Sequence, residues 1–165
     1  MEQQTLSHEM QPISIFQQRK IELGVLAPLY KEMVNAVGTE TAKEIMLRTV
    51  SGLARNVGAE WAKSNPERDL EGIRAIWQKL ADGKVLDAEI RVLPEELEIT
   101  VRRCDYATMY GEAGLEELGH ILSCSRDEPF TEGFSDRITF SRSSCLLEGD
   151  ECCIMKYGIK ENTPK

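Results

Sequence analysis

Apolar residues recur every three to four positions through the first half of the chain, which is the spacing of an amphipathic helix. Residues 15–37 carry the first such stripe, and Pro28 inside it is expected to kink the helix or split it, because proline removes a backbone donor. Residues 40–63 carry the second stripe. A third begins behind Asp69, a residue suited to capping a helix N-terminus, and ends near Asp82. The pattern therefore predicts three helices in succession.

The period shortens to two in the second half, as in strands. Residues 85–93 and 97–101 read as strands that turn around Pro94, and residues 137–145 and 152–159 read as a second pair. A short helix is expected between the pairs, after Gly114. This order predicts an α+β fold in which N-terminal long helices pack on a four-stranded antiparallel sheet, with a helical insertion between strands 2 and 3.

No internal repeat or long linker divides the 165 residues, so a single domain over 1–165 is expected. Within it we expect a flexible N-terminal tail over 1–13, a helical half over 14–82 and a β-rich half over 83–160.

Charge and hydropathy narrow the range of partners. The net charge is −8 and the pI is about 4.9, which disfavours binding to a nucleic-acid backbone. No apolar run approaches the roughly 18 residues of a membrane span, and the N-terminus lacks the features of a secretory signal. We therefore expect a cytoplasmic protein whose partner is a small molecule or another protein, without nucleic acid or membrane.

Five cysteines all lie from residue 104 onwards. An odd number without an export signal argues against a disulfide framework, so the thiols are packing residues, metal ligands or nucleophiles. There is no C-x-x-C pair, which excludes a zinc ribbon or a thioredoxin-like motif. Cys152 and Cys153 point to opposite faces of a strand, so at most one of them faces a site that other thiols share.

Four constellations are candidates for chemistry, and the last is the tight turn that lies between Cys145 and the adjacent Cys152 and Cys153. Cys104, followed by Asp105 and Tyr106, lies at the end of a predicted strand, where functional side chains are common. His120 and Cys124 have the i, i+4 spacing of one helix face, where they could share a metal or a proton.

The third constellation directly follows Cys124. Asp127 is a candidate acid, base or ligand, and Arg126 could clamp a carboxylate through two hydrogen bonds. Ordinary packing is the alternative for the first two constellations, and capping of a predicted turn at residues 129–134 is the alternative for the third.

The chain resembles the L-2-amino-thiazoline-4-carboxylic acid hydrolase-like family from about residue 18 to residue 157. The resembling positions of the second half are Cys104, Tyr106, Gly114, Gly119, Cys124, Asp127, Phe134, Leu146, Gly149, Asp150 and Cys153. Cys145 departs from the family pattern, in which threonine is usual. The resemblance implies opening of the thiazoline ring of a cyclic amidine to N-carbamoyl-cysteine. The family is also similar to 4-vinyl reductase-type domains, which implies binding of small hydrophobic molecules.

Two mechanisms are open for such a ring opening. In one, Cys104, Cys124 and Cys153, with Asp127 or His120, hold a zinc or iron ion that activates water. In the other, a thiolate attacks directly and His120 or Asp127 acts as the base.

In either mechanism Arg126 or Arg102, with Tyr106, would bind the substrate, and Cys145 and Cys152 would be packing residues. The predicted function is hydrolysis of a non-peptide C–N bond in a small heterocycle. A non-catalytic module that binds a small molecule or metal is the alternative, and a homodimer through the apolar faces of the long helices is a third option.

Overall fold

Three helices form the N-terminal half of the computed structural model, which describes residues 13–160. Helix α1 (Ile15–Val37) begins at a Ser14 capping box and continues through Pro28. Helix α2 (Thr39–Ser64) follows after Gly38 alone, whose φ of +83° favours glycine. Helix α3 (Leu70–Asp82) begins at Asp69, whose side chain accepts a hydrogen bond from the Gly72 amide. The predicted helices are confirmed, and Pro28 does not split the first one.

Four antiparallel strands form one sheet in the order β1–β2–β4–β3. Their bounds are β1 (Leu86–Val92), β2 (Glu96–Cys104), β3 (Ile138–Ser144) and β4 (Cys153–Ile159). Alternate residues such as Leu97, Ile99 and Met155 are buried, which gives the sheet one face covered by helices. The Trp77 indole N–H of α3 donates to the Tyr157 hydroxyl of β4 at 2.9 Å, and this buried bond fixes α3 on the sheet.

The insertion between β2 and β3 is longer and more helical than the sequence pattern predicts. It contains α4 (Asp105–Glu112), α5 (Glu116–Leu122), a single 3₁₀ turn (Cys124–Arg126) and α6 (Asp127–Phe134). The prediction of a turn at residues 129–134 is wrong, because Pro129 and Phe134 bury one face of a short helix. Pro129 is tolerated there because amides in the first helical turn need no intrahelical acceptor.

Helices α2 and α6 pack at backbone distance, and two glycines make this possible. A β-carbon at Gly58 would lie 2.1 Å from the Phe130 carbonyl oxygen, and one at Gly133 would lie 2.1 Å from the Arg55 carbonyl oxygen. This crossing holds the insertion against the N-terminal helices. The predicted α+β architecture is therefore confirmed, while the predicted tail lies outside the described residues except for Ile13. Within residues 13–160, no helix combines the length and apolar character needed to cross a membrane.

Candidate functional site

Three thiols meet where the insertion touches the connection between β3 and β4. Cys124 lies in the 3₁₀ turn, Cys145 directly follows β3, and Cys153 begins β4. The Cys124 and Cys145 Sγ atoms are 3.8 Å apart. The Cys153 Sγ accepts a hydrogen bond from the Leu146 amide at 3.3 Å, and the Cys145 amide donates to Asp150 at 2.6 Å. Below, these three cysteines are called the thiol cluster.

Within the thiol cluster, the pKa of Cys145 is lowered, whereas the pKa values of Cys124 and Cys153 are raised. Hydrogen bonds from the thiols of Cys124 and Cys153, with a further one from His120, lower the pKa of Cys145. The bond to Cys145, together with burial, raises the pKa of Cys124 and of Cys153. These shifts favour Cys145 over Cys124 and Cys153 as the sulfur that gives up its proton. Cys145 is fully buried, whereas Cys124 is half-buried.

His120 and Glu148 extend the cluster toward solvent. The hydrogen bond with Cys145 raises the pKa of His120, although burial opposes this effect. Its Nε2 lies 3.4 Å from the Glu148 carboxylate, which is largely exposed. Because α5 ends at Leu122, His120 and Cys124 do not share one helix face. They meet through Cys145 instead, in a chain of contacts from Cys124 to Cys145 to His120 to Glu148.

A buried guanidinium lies beside the thiols. Arg142 of β3 donates to the Cys124 carbonyl oxygen at 3.1 Å and forms an ion pair with Asp127 at the start of α6. Burial raises the pKa of Asp127 to about 6, and Arg142 opposes the rise. The Arg142 Nε is buried and has no hydrogen-bond partner among the described residues. The charge of Arg142 faces all three thiols of the cluster.

A second group of polar side chains lies between α1, α4 and the 3₁₀ turn. The Arg126 guanidinium is half-buried, and its pKa is lowered first by burial and then by the positive charge of Arg19 on α1. Tyr106 packs edge-on against Phe16, with 5.2 Å between ring centroids. Among residues 13–160, Arg126 forms no side-chain hydrogen bond or ion pair. Arg19 pairs with Glu22, so Arg126 is the guanidinium beside this tyrosine that suits a carboxylate ligand.

The other candidates from the sequence lie apart from the thiol cluster. Cys104 is half-buried at the end of β2, where burial raises its pKa, and its thiol forms no hydrogen bond to the cluster among the described residues. Arg102 is exposed and pairs with Glu89 at 3.0 Å. Cys152 is half-buried just before β4, while its neighbour Cys153 is buried.

The site also contains residues that the sequence did not predict for it. Cys145 was expected only to pack, and Arg142 was not among the predicted site residues. The eight-residue spacing of Cys145 and Cys153 around a tight turn was the one signal that could have joined Cys145 to the cluster. Among the described residues, the group whose metal-ligating atoms lie within 4.8 Å of one another is His120, Cys145 and Glu148.

A separate apolar cleft of about 500 Å³ lies between α1, α2 and the start of α5. Ala27, Pro28, Val34 and Leu115 contribute its apolar walls. The Tyr30 hydroxyl, also at this cleft, is buried and has no hydrogen-bond partner among the described residues. The cleft thus combines apolar surface with the buried Tyr30 hydroxyl, and Lys31, Thr39 and Glu117 also line it.

Comparisons with known proteins identify one sequence family and solved structures that have a similar fold. The sequence profile of the family described as L-2-amino-thiazoline-4-carboxylic acid hydrolase matches residues 18–157. No functionally curated protein matches the chain.

Among the solved structures that match, two are distant in sequence and similar in fold. One is the phenol-responsive sensory domain of the transcription activator PoxR with phenol, at 13% identity and a TM-score of 0.51, covering 82% of this chain and 73% of that one. The other is a trafficking protein particle complex subunit 3 from Naegleria fowleri covalently bound to palmitic acid. Its sequence is 14% identical and its TM-score is 0.52, and the match covers 88% of this chain and 99% of that chain.

Proposed function

We propose that this chain, which belongs to the L-2-amino-thiazoline-4-carboxylic acid hydrolase family, opens a small cyclic amidine by adding water at its amidine carbon. The observation that carries the proposal is the 3.8 Å contact between the half-buried Cys124 thiol and the Cys145 sulfur, with His120 behind it. This order matches a nucleophile, a base and a general acid in sequence.

Cys124 is the proposed nucleophile because it is the more exposed of the two sulfurs. The Cys124 thiol attacks the amidine carbon to form a C–S bond, and its proton, which becomes more acidic as that bond forms, passes to the Cys145 thiolate. The ring heteroatom leaves with a proton from the His120 imidazolium, which Glu148 helps to keep charged. In a thiazoline the bond that breaks is carbon–sulfur, whereas in a sulfur-free cyclic amidine it is carbon–nitrogen.

Water then completes the reaction. Neutral His120 accepts one proton of the water as its oxygen bonds to the same carbon, and the remaining proton goes to the amidine nitrogen. Collapse of the adduct breaks the bond to Cys124 and leaves a carbamoyl group. The thiol cluster and the imidazolium return to their starting protonation states, so the net change is the addition of one water to the substrate.

Arg126 is the proposed clamp for the substrate carboxylate. It lies two residues after Cys124, is half-buried, and carries a guanidinium without an ion-pair partner among the described residues. Arg19 adds a second positive charge, and Tyr106 offers a hydroxyl on the same side. A carboxylate held here would gain charge-assisted hydrogen bonds in a partly desolvated site. Arg102 is a weaker candidate, because it is exposed and already paired.

A metal ion is a second way to use the same residues. Two thiolates bound to a tetrahedral zinc at about 2.3 Å lie about 3.8 Å apart, which is the Cys124–Cys145 separation. His120, Cys145 and Glu148 would hold zinc or iron, and such an ion supplies an acidic bound water. The Arg142 guanidinium beside the sulfurs opposes a second cation, so we favour the thiolate route.

Serine variants test the proposal most directly. The substrate is L-2-amino-thiazoline-4-carboxylate, and the assay measures product formation and elemental metal content after purification under reducing conditions. We expect Cys124→Ser and Cys145→Ser each to lower kcat/KM at least about 100-fold, and Cys152→Ser, a half-buried thiol outside the cluster, to leave it unchanged. The thiolate route predicts turnover without bound metal.

Other results would contradict specific parts of the proposal. Full activity in both Cys124→Ser and Cys145→Ser would exclude the thiol cluster as the reactive centre. Near-stoichiometric zinc that is lost with activity in Cys145→Ser would replace the thiolate route by the metal route. Arg126→Gln is expected to raise KM more than it lowers kcat, so an unchanged KM would remove Arg126 from the substrate site.

A non-catalytic binding module is the second candidate function. The apolar cleft beside Tyr30 favours it, as does the fold similarity to a sensory domain solved with phenol. Calorimetric titration with phenol tests it. Saturable binding that weakens in Tyr30→Phe, with no turnover of the amino-thiazoline carboxylate, would support a binding role in place of catalysis.

A further inference from the structure

Helix α1 carries an apolar stripe on its outward face as well as on its inward face. Leu23, Leu26 and Met33 pack inward against the core. On the opposite face Ile21, Val25 and Leu29 are 62%, 65% and 49% exposed. A helix at the surface of a protein ordinarily presents polar residues to water, and one that is apolar on both faces is ordinarily covered.

We propose that this outward face of α1 is a homodimer interface in which the α1 helices of two copies pack antiparallel about Val25. The stripe is symmetric around that residue, because Ile21 and Leu29 stand four positions to either side. A two-fold interface requires residue i to meet residue j while j meets i, so Ile21 would lie against Leu29 of the second copy.

The polar ends of this face, Gln18 (whose amide also donates to Glu22 at 3.0 Å) and the charged Glu32, favour the antiparallel arrangement. Between residues 18 and 32 the face has exposed polar ends, Gln18 on one side of Val25 and Glu32 on the other, each seven positions away. Antiparallel packing places the Gln18 amide opposite the Glu32 carboxylate of the second copy. Parallel packing would place the two Glu32 carboxylates together, which is unfavourable.

Close approach is possible at the centre of the stripe. A β-carbon on Gly24 would find no atom within 4 Å, so the backbone is open beside Val25. The 23-residue helix is about 35 Å long and offers a face of about 350 Å², less than half of the roughly 800 Å² per partner of a standard interface. We therefore expect a dimer with micromolar affinity.

Sedimentation equilibrium of the full chain, from nanomolar to high micromolar concentration, tests the proposal. Val25→Glu would place two carboxylates at the two-fold axis and is expected to raise the dissociation constant about 100-fold. The matched control is Val92→Glu, since Val92 at the end of β1 is 68% exposed and lies off the stripe. Circular dichroism verifies that both variants stay folded.

Cysteine cross-linking tests the antiparallel register of the two α1 helices. Chains that carry Ile21→Cys and chains that carry Leu29→Cys are expected to cross-link when mixed and oxidised, and not when each is alone. A monomer at every concentration would overturn the proposal, as would equal effects of Val25→Glu and Val92→Glu. Cross-linking of Ile21→Cys with itself would overturn the antiparallel register. None of these variants touches the thiol cluster, so the outcome is independent of the proposed function.

Discussion

At the scale of single residues, Arg142 organises the candidate site. Its guanidinium binds the carbonyl of Cys124 and the carboxylate of Asp127, and it contacts the Met155 sulfur at 3.6 Å. These partners come from the 3₁₀ turn, α6 and β4, so one side chain joins the insertion to the sheet. Because the side chain is only 14% exposed, water replaces little of this network when the arginine is removed.

Replacing Arg142 by methionine should therefore destabilise the fold. Arg142→Met leaves Asp127 and the Cys124 carbonyl without their donor, and we expect a loss of about 2–3 kcal/mol in the free energy of unfolding. Arg102→Met breaks an exposed pair with Glu89 and should cost less than about 1 kcal/mol. Urea unfolding measures both, and equal losses would contradict a special role for Arg142.

Asp127 makes the free energy of unfolding depend on pH, and the direction of its pKa shift determines the direction of that dependence. Its pKa is about 6 in the folded protein, against about 4 in an unfolded chain, because burial penalises the carboxylate more than Arg142 stabilises it. Between these values the folded state binds more protons than the unfolded state. Stability from this group therefore falls as pH rises from about 4 to about 6, and the loss is complete above that range.

Asparagine at position 127 cannot titrate, so the variant Asp127→Asn tests whether this stability falls as pH rises. The unfolding free energy of the original protein, minus that of Asp127→Asn, should decrease as pH rises from about 4 to about 6 and then level off. Urea unfolding at several pH values measures the difference, in which the other titrating groups largely cancel. Because 31% of the Asp127 side chain is exposed, the change should be moderate. A flat or rising difference would contradict the raised pKa.

Sequence reasoning found part of this site from residue types. It named Cys124, Cys153, His120 and Asp127, which the fold gathers, together with Cys104 and Arg102, which lie elsewhere. Cys145 and Arg142 could not be chosen in the same way. Their contacts with Cys124 and Asp127 span 15 to 21 residues of chain, and they depend on how the insertion lies on the sheet. Local periodicity contains no information about that placement.

At the scale of elements, the α2–α6 crossing decides how closely the insertion approaches the N-terminal helices. Gly58 and Gly133 let the two backbones touch, as the clash distances of 2.1 Å indicate. Gly52, on the same helix as Gly58, faces open space. One helix therefore carries both a required glycine and a dispensable one.

Alanine substitutions at Gly58 and Gly52 should change the free energy of unfolding in opposite directions. Gly58→Ala forces the helices apart and should cost about 2 kcal/mol or more in unfolding free energy. Gly52→Ala should gain up to about 1 kcal/mol, because alanine is the better helix former and no neighbour is displaced. Thermal or urea unfolding distinguishes the two outcomes. A neutral Gly58→Ala would mean that the crossing relaxes easily.

The elements were more predictable than the contacts between them. Long periodic helices and alternating strands follow from local spacing, and α1 to α3 and the four strands were found near their observed bounds. The seven-residue α5 was found after Gly114, whereas α4, which buries only Tyr110, and α6, which has Pro129 in its first turn, were missed. Pro28 did not split α1, since tertiary packing on both sides of the proline outweighs one missing hydrogen bond.

At the scale of the whole molecule, the sheet supports the insertion that carries Cys124 and His120. The thiol cluster joins that insertion to the β3–β4 connection, whereas the apolar cleft belongs to the N-terminal helices. The catalysis proposed at the thiol cluster and the binding proposed at the cleft can therefore be tested by separate variants. The sequence predicted the architecture, but the separation of the cluster from the cleft follows only from the packing.

Helix α1 has a consequence for local stability. It contains no fully buried side chain and is joined to α2 through Gly38 alone, so it can open while the sheet and α2 stay folded. Amide hydrogens of α1 should exchange with deuterium at a lower free energy of opening than those of β2. If α1 helices pair, dilution should speed exchange in α1 and leave β2 unchanged. Hydrogen exchange at two protein concentrations would thus report assembly through the least protected helix of the chain.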